Sequence, residues 1–387
     1  MPQRSTRFEA HKRAFRATIR AFIDAEVVPS FGKWYDEGLV PREFYYRLGE
    51  LGVLGMEVPA AYGGSGLDSF RYRAVLAEEI ARAAVSFGGS SAHLSRCLPL
   101  INDLATDDQR QRWLPGFVTG ETMFALAVAE PGTGTEPSGM RTTAPLSLDG
   151  TEYLLNGSKT YVTGGVHADR VIVCARTAPP RAGDPTYGLS LLVVDSAAPG
   201  YRVGRAIDTL GRKVSDTAEL TFTDVRVPVT DRLGAAHRGD DHLAAQLPRE
   251  RLTIAVGAHA QARAAVRFAH RFTAERTAFT HSVASFQNTK FELAACRAEV
   301  DAIEAVVDRA LTAYDRGDLT PADAASAKLF CTESAGRVID RCLQLHGGVG
   351  YLADSPIARL YADHRIDRIV GGTSEVLRTI IAAEMGL

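Results

Sequence analysis

The chain has 387 residues, which is long enough for two or three domains, each with its own core. Its 44 lysines and arginines nearly balance 46 acidic residues and no basic run stands out, so we expect no nucleic-acid partner. Five scattered cysteines without a CxxC pair suit a reducing cytoplasm and favour neither a disulfide framework nor a metal site. The sequence shows no apolar run of membrane-spanning length and no signal-peptide core, so we expect a cytoplasmic chain without membrane contact.

Hydrophobic periodicity divides the chain into three regions. Residues 1–120 alternate helical patterns with short glycine breaks, and the first of these patterns places its apolar residues on one face. Residues 121–235 carry strand patterns, and residues 236–387 return to long helical patterns. We therefore predict a helical domain, a small β domain and a second helical domain, in that order.

Within the middle region, residues 189–195 and 218–228 have the apolar or alternating patterns of strands. Asn156 and Gly157 form a dipeptide typical of a two-residue turn, so we predict a hairpin there. Residues 179–188 are rich in proline and glycine and predict a loop.

The third region begins with alanine-rich amphipathic patterns over residues 249–276 and 286–313, which predict two long helices. Further on, Ser355 and Pro356 have the residue types of an N-cap and a first helical residue. We therefore predict that another helix begins there.

Two glycine pairs near the end of the chain each lie beside a predicted helix. Gly347 and Gly348 follow an apolar helical run, while Gly371 and Gly372 precede a helix that Thr373 would cap. A glycine pair before a capped helix offers free N–H groups, and such groups bind anions. Ordinary helix ends show the same pattern, so spacing alone leaves both interpretations open.

The stretch from Gln344 to Arg378 resembles the C-terminal signature of acyl-CoA dehydrogenases, which runs from a glutamine through a GGxG motif to the ending GTSE. The similarity covers nearly the whole chain. It implies an α+β chain with the acyl-CoA dehydrogenase fold: an N-terminal helical domain (1–120), a middle β domain (121–235) and a C-terminal four-helix-bundle domain (236–387). It also implies an FAD cofactor, an acyl thioester substrate and a homo-oligomer, with a tetramer expected because the family is mostly tetrameric.

Residues 124–144 resemble the first flavin signature of the family. The resemblance implies that Val128 and Ala129 contact the cofactor and that Thr135 contacts the substrate. Ala129 replaces a threonine or serine whose hydroxyl touches the flavin in relatives, and Glu136 replaces an aspartate. Backbone N–H groups carry much of the binding in this loop, so the lost hydroxyl need not abolish it.

Residues 156–165 resemble the next flavin segment. The resemblance implies that Tyr161 packs against the flavin and that Thr163 places its hydroxyl near flavin N(5). Gly164 replaces a usual asparagine. Without the resemblance, the segment would be interpreted as a plain β-hairpin with a surface threonine.

Residues 276–287 resemble a segment that reaches the FAD of a neighbouring subunit in relatives. Arg276 would hold the pyrophosphate by charge-assisted hydrogen bonds, Phe279 would pack by the adenosine, and Gln287 would hydrogen-bond the cofactor. Thr280 replaces a usual glycine. Alternatively, Arg276 is a solvated charge at a helix end. The resemblance adds further FAD contacts at Gln344, Gly347, Gly348, Thr373 and Glu375.

Removal of the α-proton of a thioester requires a carboxylate over the substrate in a dry pocket. Medium- and short-chain relatives carry a glutamate directly before GTSE, where this chain has Gly371. Long-chain and isovaleryl-type relatives have glycine there and carry the base in a segment like LPxERL, which residues 247–252 resemble. The resemblance therefore implies that Glu250 is the base and that Arg251, Gly371 and Gly372 contact the substrate. Alternatively, Glu250 is an acid favourable to a helix dipole.

The resulting expectation is FAD-dependent α,β-dehydrogenation of an acyl-CoA to a trans-2-enoyl-CoA. Glu250 would abstract the α-proton, flavin N(5) would accept the β-hydride, and an electron-transferring flavoprotein would take the electrons. Three alternatives stay open. They are an acyl-carrier-protein-linked dehydrogenase of a biosynthetic pathway, a flavin monooxygenase or oxidase on the same fold, and a catalytically silent acyl-binding subunit.

Overall fold

In the computed structural model, the described residues are 2–67, 69–134 and 136–387, with side chains described from residue 9 onward. Helices, then strands, then helices follow one another along the chain. This order agrees with the predicted α+β arrangement.

The N-terminal helices enclose one apolar core. Ile19 and Phe22 of the first helix are buried, as the amphipathic pattern predicts. A π-helical turn, His93–Cys97, lies between two of the shorter helices. The helices are α1 (Pro2–Phe22), α2 (Val28–Glu37), α3 (Arg42–Glu50), α4 (Arg71–Ala83), α5 (Ser90–Ala92), α6 (Leu98–Leu104) and α7 (Asp107–Thr119).

The middle region forms two small sheets. Its strands are β1 (Phe124–Ala127), β2 (Glu152–Val162), β3 (Arg170–Arg176), β4 (Leu189–Asp195), β5 (Tyr201–Ala206), β6 (Ala218–Pro228) and β7 (Arg232–Leu233). The order β1-β3-β4-β7 gives a four-stranded sheet in which β1 and β3 are parallel, and β2-β6-β5 gives an antiparallel sheet. The strands predicted over 189–195 and 218–228 are confirmed as β4 and β6.

The four-stranded sheet separates two apolar cores. On β3, Ile172 and Cys174 belong to the core shared with the N-terminal helices, whereas Val171 and Val173 belong to the core shared with the second sheet. The alternation follows from the pleat, which points successive side chains to opposite faces. The sheet therefore ties the helical domain to the strands that carry the candidate flavin loops.

The predicted hairpin at Asn156 and Gly157 is wrong, because both residues lie within the single long strand β2. The Asn156 side chain accepts a hydrogen bond from Asp224 N and donates one to Asp224 Oδ1. A Cβ built on Gly157 would lie 2.6 Å from Thr142 Oγ1. The glycine therefore serves the close approach of two chain segments and not a turn.

The C-terminal region contains three long helices, and two shorter helices pack on the last of these. The helices are α8 (Gly239–Glu275), α9 (Gln287–Arg316), α10 (Pro321–Leu345), α11 (Pro356–His364) and α12 (Ser374–Glu384). Helix α8 begins earlier than predicted and includes Pro248 in its interior. A short hairpin, β8 (Thr277–Ala278) and β9 (His281–Ser282), connects α8 to α9. No helix in the described part of the chain is long and apolar enough to cross a membrane.

The predicted caps are present in this region. Ser355 Oγ accepts a hydrogen bond from Ala358 N at the start of α11, and Thr373 Oγ1 accepts one from Val376 N at the start of α12. Each cap satisfies a backbone donor that has no partner within its helix. The caps therefore fix where α11 and α12 begin, and with them the glycine-containing loop before α12.

Candidate active site

Glu250 and Gly371, the two alternative positions of the base, are neighbours in space although they are distant in the chain. Glu250 lies in α8, and Gly371 lies in the loop before α12 with φ +66°, a conformation that suits glycine. A Cβ built on Gly371 would lie 3.6 Å from Glu250 Oε1 and 2.8 Å from Ile254 Cδ1. The Glu250 carboxylate therefore lies beside the space that a side chain at position 371 would enter.

Two cationic side chains hold the loop that contains Gly371 and Gly372. Arg251 Nε donates to Gly371 O at 3.1 Å, and Lys328 Nζ donates to Gly372 O at 2.6 Å. Both side chains are buried. Burial lowers the pKa of Lys328 to about 8; Asp367 opposes this shift and Arg251 adds to it. The loop beside Glu250 is thus fastened to both α8 and α10.

Arg96 contacts the Glu250 carboxylate directly. Its Nη2 donates to Glu250 Oε1 at 2.6 Å, and the two side chains are 27% and 16% exposed. Arg96 belongs to the π-helical turn that precedes α6. The candidate base is therefore a partly buried, ion-paired carboxylate.

Val128 and Ala129 follow β1 in a loop that is fastened by a buried ion pair. Lys159 Nζ donates to Val128 O and to Glu130 Oε1, each at 2.9 Å. Glu130 also accepts two backbone N–H groups, one of them from Thr142. Burial alone would raise the pKa of Glu130, but hydrogen bonds from Thr142 and its other donors outweigh burial and lower it. Glu130 therefore anchors its own loop, and it lies in the middle of the segment that resembles the flavin signature.

Tyr161 and Thr163 lie at the end of β2 and in the turn that follows. Tyr161 has φ +57° and is 67% exposed, so its ring is not part of a core in this chain. Gly164 has φ +78°. Asparagine also tolerates this conformation, so the departure from the family's asparagine preserves the turn.

Arg276 and Phe279 lie at the hairpin between α8 and α9, Gln287 is the first residue of α9, and all three are exposed. The Phe279 ring is 88% exposed. Phe279 and Thr280 have φ +49° and +69°, so Thr280 adopts the left-handed conformation that the glycine of relatives would adopt freely. This hairpin presents an aromatic ring and a cation outward, away from its own chain.

The remaining predicted contacts lie at the ends of α10 and α12. Gln344, Gly347 and Gly348 are exposed, and a Cβ built on either glycine would meet open space. Thr373 caps α12, and Glu375 is exposed in its first turn. Thr135, a predicted substrate contact, lies outside the described residues.

The structure thus brings the four predicted residues Glu250, Arg251, Gly371 and Gly372 into one cluster. Within the described part of the chain, no hydrogen bond or ion pair links this cluster to the exposed hairpin.

Sequence reasoning missed two residues of the cluster, Arg96 and Lys328. Each is a cation within an apolar helical run, beside Cys97 and Leu98 in one case and beside Ala327 in the other. That pattern was the available signal, because a charge on a buried face usually has a specific partner.

Comparison with known proteins gives three matches to family descriptions in chain order. Residues 9–121 match the acyl-CoA dehydrogenase N-terminal domain, residues 125–225 the middle domain, and residues 237–386 the C-terminal domain. The chain belongs to the acyl-CoA dehydrogenase family. The resemblance found in the sequence and the fold class predicted from it are both confirmed.

Individual relatives agree with this assignment. The long-chain specific acyl-CoA dehydrogenase of Sus scrofa mitochondria is 35% identical over 98% of this chain and 87% of its own length. A 3-(aryl)acrylate reductase of Clostridium sporogenes is 32% identical over 98% of this chain and 99% of its own. The crystal structure of an acyl-CoA dehydrogenase from Geobacillus kaustophilus superimposes with a TM-score of 0.92 at 36% identity, covering 97% of this chain and 98% of the other.

Members of this family are FAD-dependent oxidoreductases that act on CH–CH bonds, so the predicted enzyme class and cofactor are confirmed. The residues of this acyl-CoA dehydrogenase fit such a cofactor. Tyr161 and Phe279 offer exposed aromatic rings, and Gly347 and Gly348 leave open space at the end of α10. Arg276 offers a guanidinium without an acidic partner among the described residues.

Proposed function

We propose that this chain oxidises an acyl-CoA to a trans-2-enoyl-CoA, with Glu250 as the base that takes the α-proton. The observation that carries the proposal is the position of the Glu250 carboxylate, 3.6 Å from where a Cβ of residue 371 would lie. The family resemblance implies that relatives carry their base at the position of Glu250 or at the position of Gly371. In this chain the two positions are neighbours in space, and only Glu250 has a carboxylate.

The roles of the neighbouring residues follow from their contacts. Arg251 and Lys328 hold the carbonyls of Gly371 and Gly372, so the loop facing the base has a defined path. Glycine at 371 keeps that path free of a side chain, which leaves room for a substrate beside Glu250. These two glycines and Arg251 are our proposed substrate contacts.

The cofactor would be held from two sides. Val128, Ala129, Tyr161 and Thr163 would contact the flavin, which when bound supplies the acceptor for the hydride from the β-carbon. The adenosine and pyrophosphate half would be held by residues at the ends of α8, α9, α10 and α12: Arg276, Phe279, Gln287, Gln344, Gly347, Gly348, Thr373 and Glu375. The outward exposure of Phe279 supports a role toward a neighbouring subunit.

Four finer statements belong to the same proposal. The chain assembles as a homotetramer, it works in the cytoplasm, it passes electrons to an electron-transferring flavoprotein, and it takes a CoA rather than a carrier-protein thioester. The exposed hairpin supports assembly, and five free, buried cysteines suit a reducing compartment. Light scattering that gives a 41.7 kDa monomer with FAD bound would contradict the assembly.

The direct test is Glu250→Gln, which keeps shape and hydrogen bonding but removes basicity. FAD reduction is followed anaerobically by loss of flavin absorbance with saturated acyl-CoAs of increasing length. The variant should retain FAD yet reduce it more slowly by about 10²–10⁴-fold, because general-base catalysis usually contributes a rate factor of this size. The control is Glu299→Gln, which removes another ion-paired glutamate, on α9, and should react at the wild-type rate. An equal rate for Glu250→Gln and wild type would overturn the assignment.

A second variant tests the shared position of the two base sites. Gly371→Glu in the Glu250→Gln background should recover part of the rate, because its carboxylate would enter the same space. The positive φ of Gly371 and the contact of its Cβ with Ile254 Cδ1 oppose the substitution. Adding Ile254→Val removes that methyl group, so the triple variant should recover more activity than the double variant.

The alternatives give different outcomes in the same assay. A protein that binds acyl-CoA without bleaching would indicate a silent subunit, and oxygen consumption with reduced flavin would indicate a monooxygenase. Bleaching only with acyl carrier protein thioesters would indicate the biosynthetic role.

A further inference from the structure

Arg96 occupies an unusual setting for an arginine. It lies in the π-helical turn between α5 and α6, where Leu94, Cys97 and Leu98 are buried. A single π turn inserts an extra residue into a helix, and such turns are frequent at functional sites. Among the described contacts, its guanidinium makes one hydrogen bond, from Nη2 to Glu250 Oε1 at 2.6 Å.

His93 and Arg73 hold the π-helical turn that carries Arg96. His93 is fully buried, and burial lowers its pKa to about 3, so the ring is neutral. Its Nδ1 accepts from Phe124 N at 3.0 Å, and the other ring nitrogen lies 3.3 Å from Phe117 O. On the other side, Arg73 Nη2 donates to Leu94 O at 2.6 Å. The backbone that carries Arg96 is therefore held in place before any ligand binds.

Three cations from three elements face Glu250. Arg96 comes from the π turn, Arg251 from α8 and Lys328 from α10. Arg251 and Lys328 direct their donors to the carbonyls of the Gly371–Gly372 loop, and Lys328 also lies near Asp367. Only Arg96 hydrogen-bonds the carboxylate itself among the described residues.

We propose that Arg96 is a positioning residue that aims the Glu250 carboxylate at the space beside Gly371. The proposal rests on Glu250 being the base. The contact removes rotational freedom from a side chain that must meet the α-proton at short range. When Glu250 takes the proton, the ion pair becomes a bond between a cation and a neutral acid.

The test compares Arg96→Met and Arg96→Lys with wild type, with FAD content measured for each. Flavin reduction is followed anaerobically at about pH 7.5 over a range of concentrations of the best straight-chain acyl-CoA, which gives both the limiting rate and the half-saturating concentration. Arg96→Met should lower the limiting rate by about 10-fold and leave the half-saturating concentration within about twofold, because only the aim of the base is lost. Arg96→Lys keeps a donor for the carboxylate and should recover most of the limiting rate. An unchanged limiting rate in Arg96→Met, or a loss carried mainly by the half-saturating concentration, would overturn the proposal.

Two further arms separate this role from others. In a Glu250→Gln background, Arg96→Met should cause no additional loss, because there is no carboxylate for it to act on. Arg71→Met removes an arginine of similar exposure whose partners include Asp308, and should leave the limiting rate unchanged. A defect of Arg96→Met seen with glutaryl-CoA and absent with butyryl-CoA would instead mean that Arg96 binds an acidic acyl group.

Failure of the inference differs from failure of the proposed function. If Glu250→Gln is slow and Arg96→Met reduces the flavin at the wild-type limiting rate, only the inference about Arg96 is wrong. If Glu250→Gln reacts at the wild-type rate, the base assignment itself is wrong.

Discussion

Glu57 neutralises two arginines next to the candidate site, and its replacement by glutamine is expected to destabilise the fold. Arg73 of α4 and Arg249 of α8 both donate to its carboxylate, one contact being Arg73 Nη2 to Glu57 Oε2 at 2.8 Å. The side chains of Glu57, Arg73 and Arg249 are 10%, 7% and 17% exposed. Burial would raise the pKa of Glu57, but Arg73 and then Arg249 reverse the shift and lower it. Arg249 directly precedes Glu250 in α8, so this cluster also fixes the part of α8 that carries the base.

The magnitude follows from burial. Glu57→Gln keeps the shape of the side chain but leaves two largely buried guanidinium groups without a counter-charge. Breaking a buried ion pair by removing one partner costs about 3–5 kcal/mol, whereas an exposed pair contributes about 0–1 kcal/mol. Because the folded-state pKa of Glu57 is lowered, its stabilisation is present above the ordinary carboxylate pKa and is lost as pH falls through the folded value. The difference between wild type and variant should therefore shrink in acid.

The measurement is denaturant unfolding at pH 7 and again near pH 4, at fixed protein and FAD concentrations. The control is Glu50→Gln, since Glu50 pairs with Arg47 at the surface and is 62% exposed. We expect Glu57→Gln to lose several times more free energy of unfolding than Glu50→Gln at pH 7. Equal losses for the two variants would refute the argument that burial makes this cluster costly to break.

Other predictions follow from close contacts and titration. Gly89→Ala should lower the free energy of unfolding by about 1–3 kcal/mol, because the new Cβ would lie 2.7 Å from Gly164 Cα. Gly257 lies within α8, and a Cβ built there would have no atom within 4 Å, so Gly257→Ala should raise the free energy of unfolding by about 0.5–1 kcal/mol. Burial raises the pKa of Asp216 to about 7, so unfolding titrations should show wild type losing stability relative to Asp216→Asn as pH rises from about 4 to 7. Arg276→Ala should weaken FAD retention by about 10–100-fold, as judged by equilibrium dialysis, because a charge-assisted hydrogen bond contributes about 1.5–3 kcal/mol; unchanged retention would make Arg276 a plain surface charge.

Local patterns predicted the parts of the fold that local chemistry decides. Strands β4 and β6 appear with the predicted bounds. Strand β4 is an apolar run that is buried on both faces, and the alternation of residues in β6 expresses the pleat. The caps at Ser355 and Thr373 appear because a hydroxyl beside free N–H groups needs no distant partner. The family resemblance predicted the proximity of Glu250 and Gly371 only indirectly, by their joint departure from the commoner pattern.

Long-range contacts decided the rest. Asn156 and Gly157 have the composition of a turn, yet Asp224 and Thr142 from other segments hold them within a strand. Arg96 could not be connected to Glu250 from the sequence, because the contact joins a π turn to the middle of a helix far along the chain. Neither outcome is encoded within a window of neighbouring residues.

The meeting of Glu250 and Gly371 has a consequence for how such a site changes over generations. A lineage that moves its carboxylate from one position to the other must pass through a sequence that has both or neither. With neither, the proton has no acceptor. With both, two acids would lie within a few ångströms, since a Cβ at 371 is already 3.6 Å from Glu250 Oε1. Two carboxyl groups that close share one proton and remain able to accept another only in part. A protein with both acids keeps a proton acceptor, so the path through both acids is the passable one. Loss of either acid afterwards would commit a descendant to the position on α8 or to the position in the loop before α12.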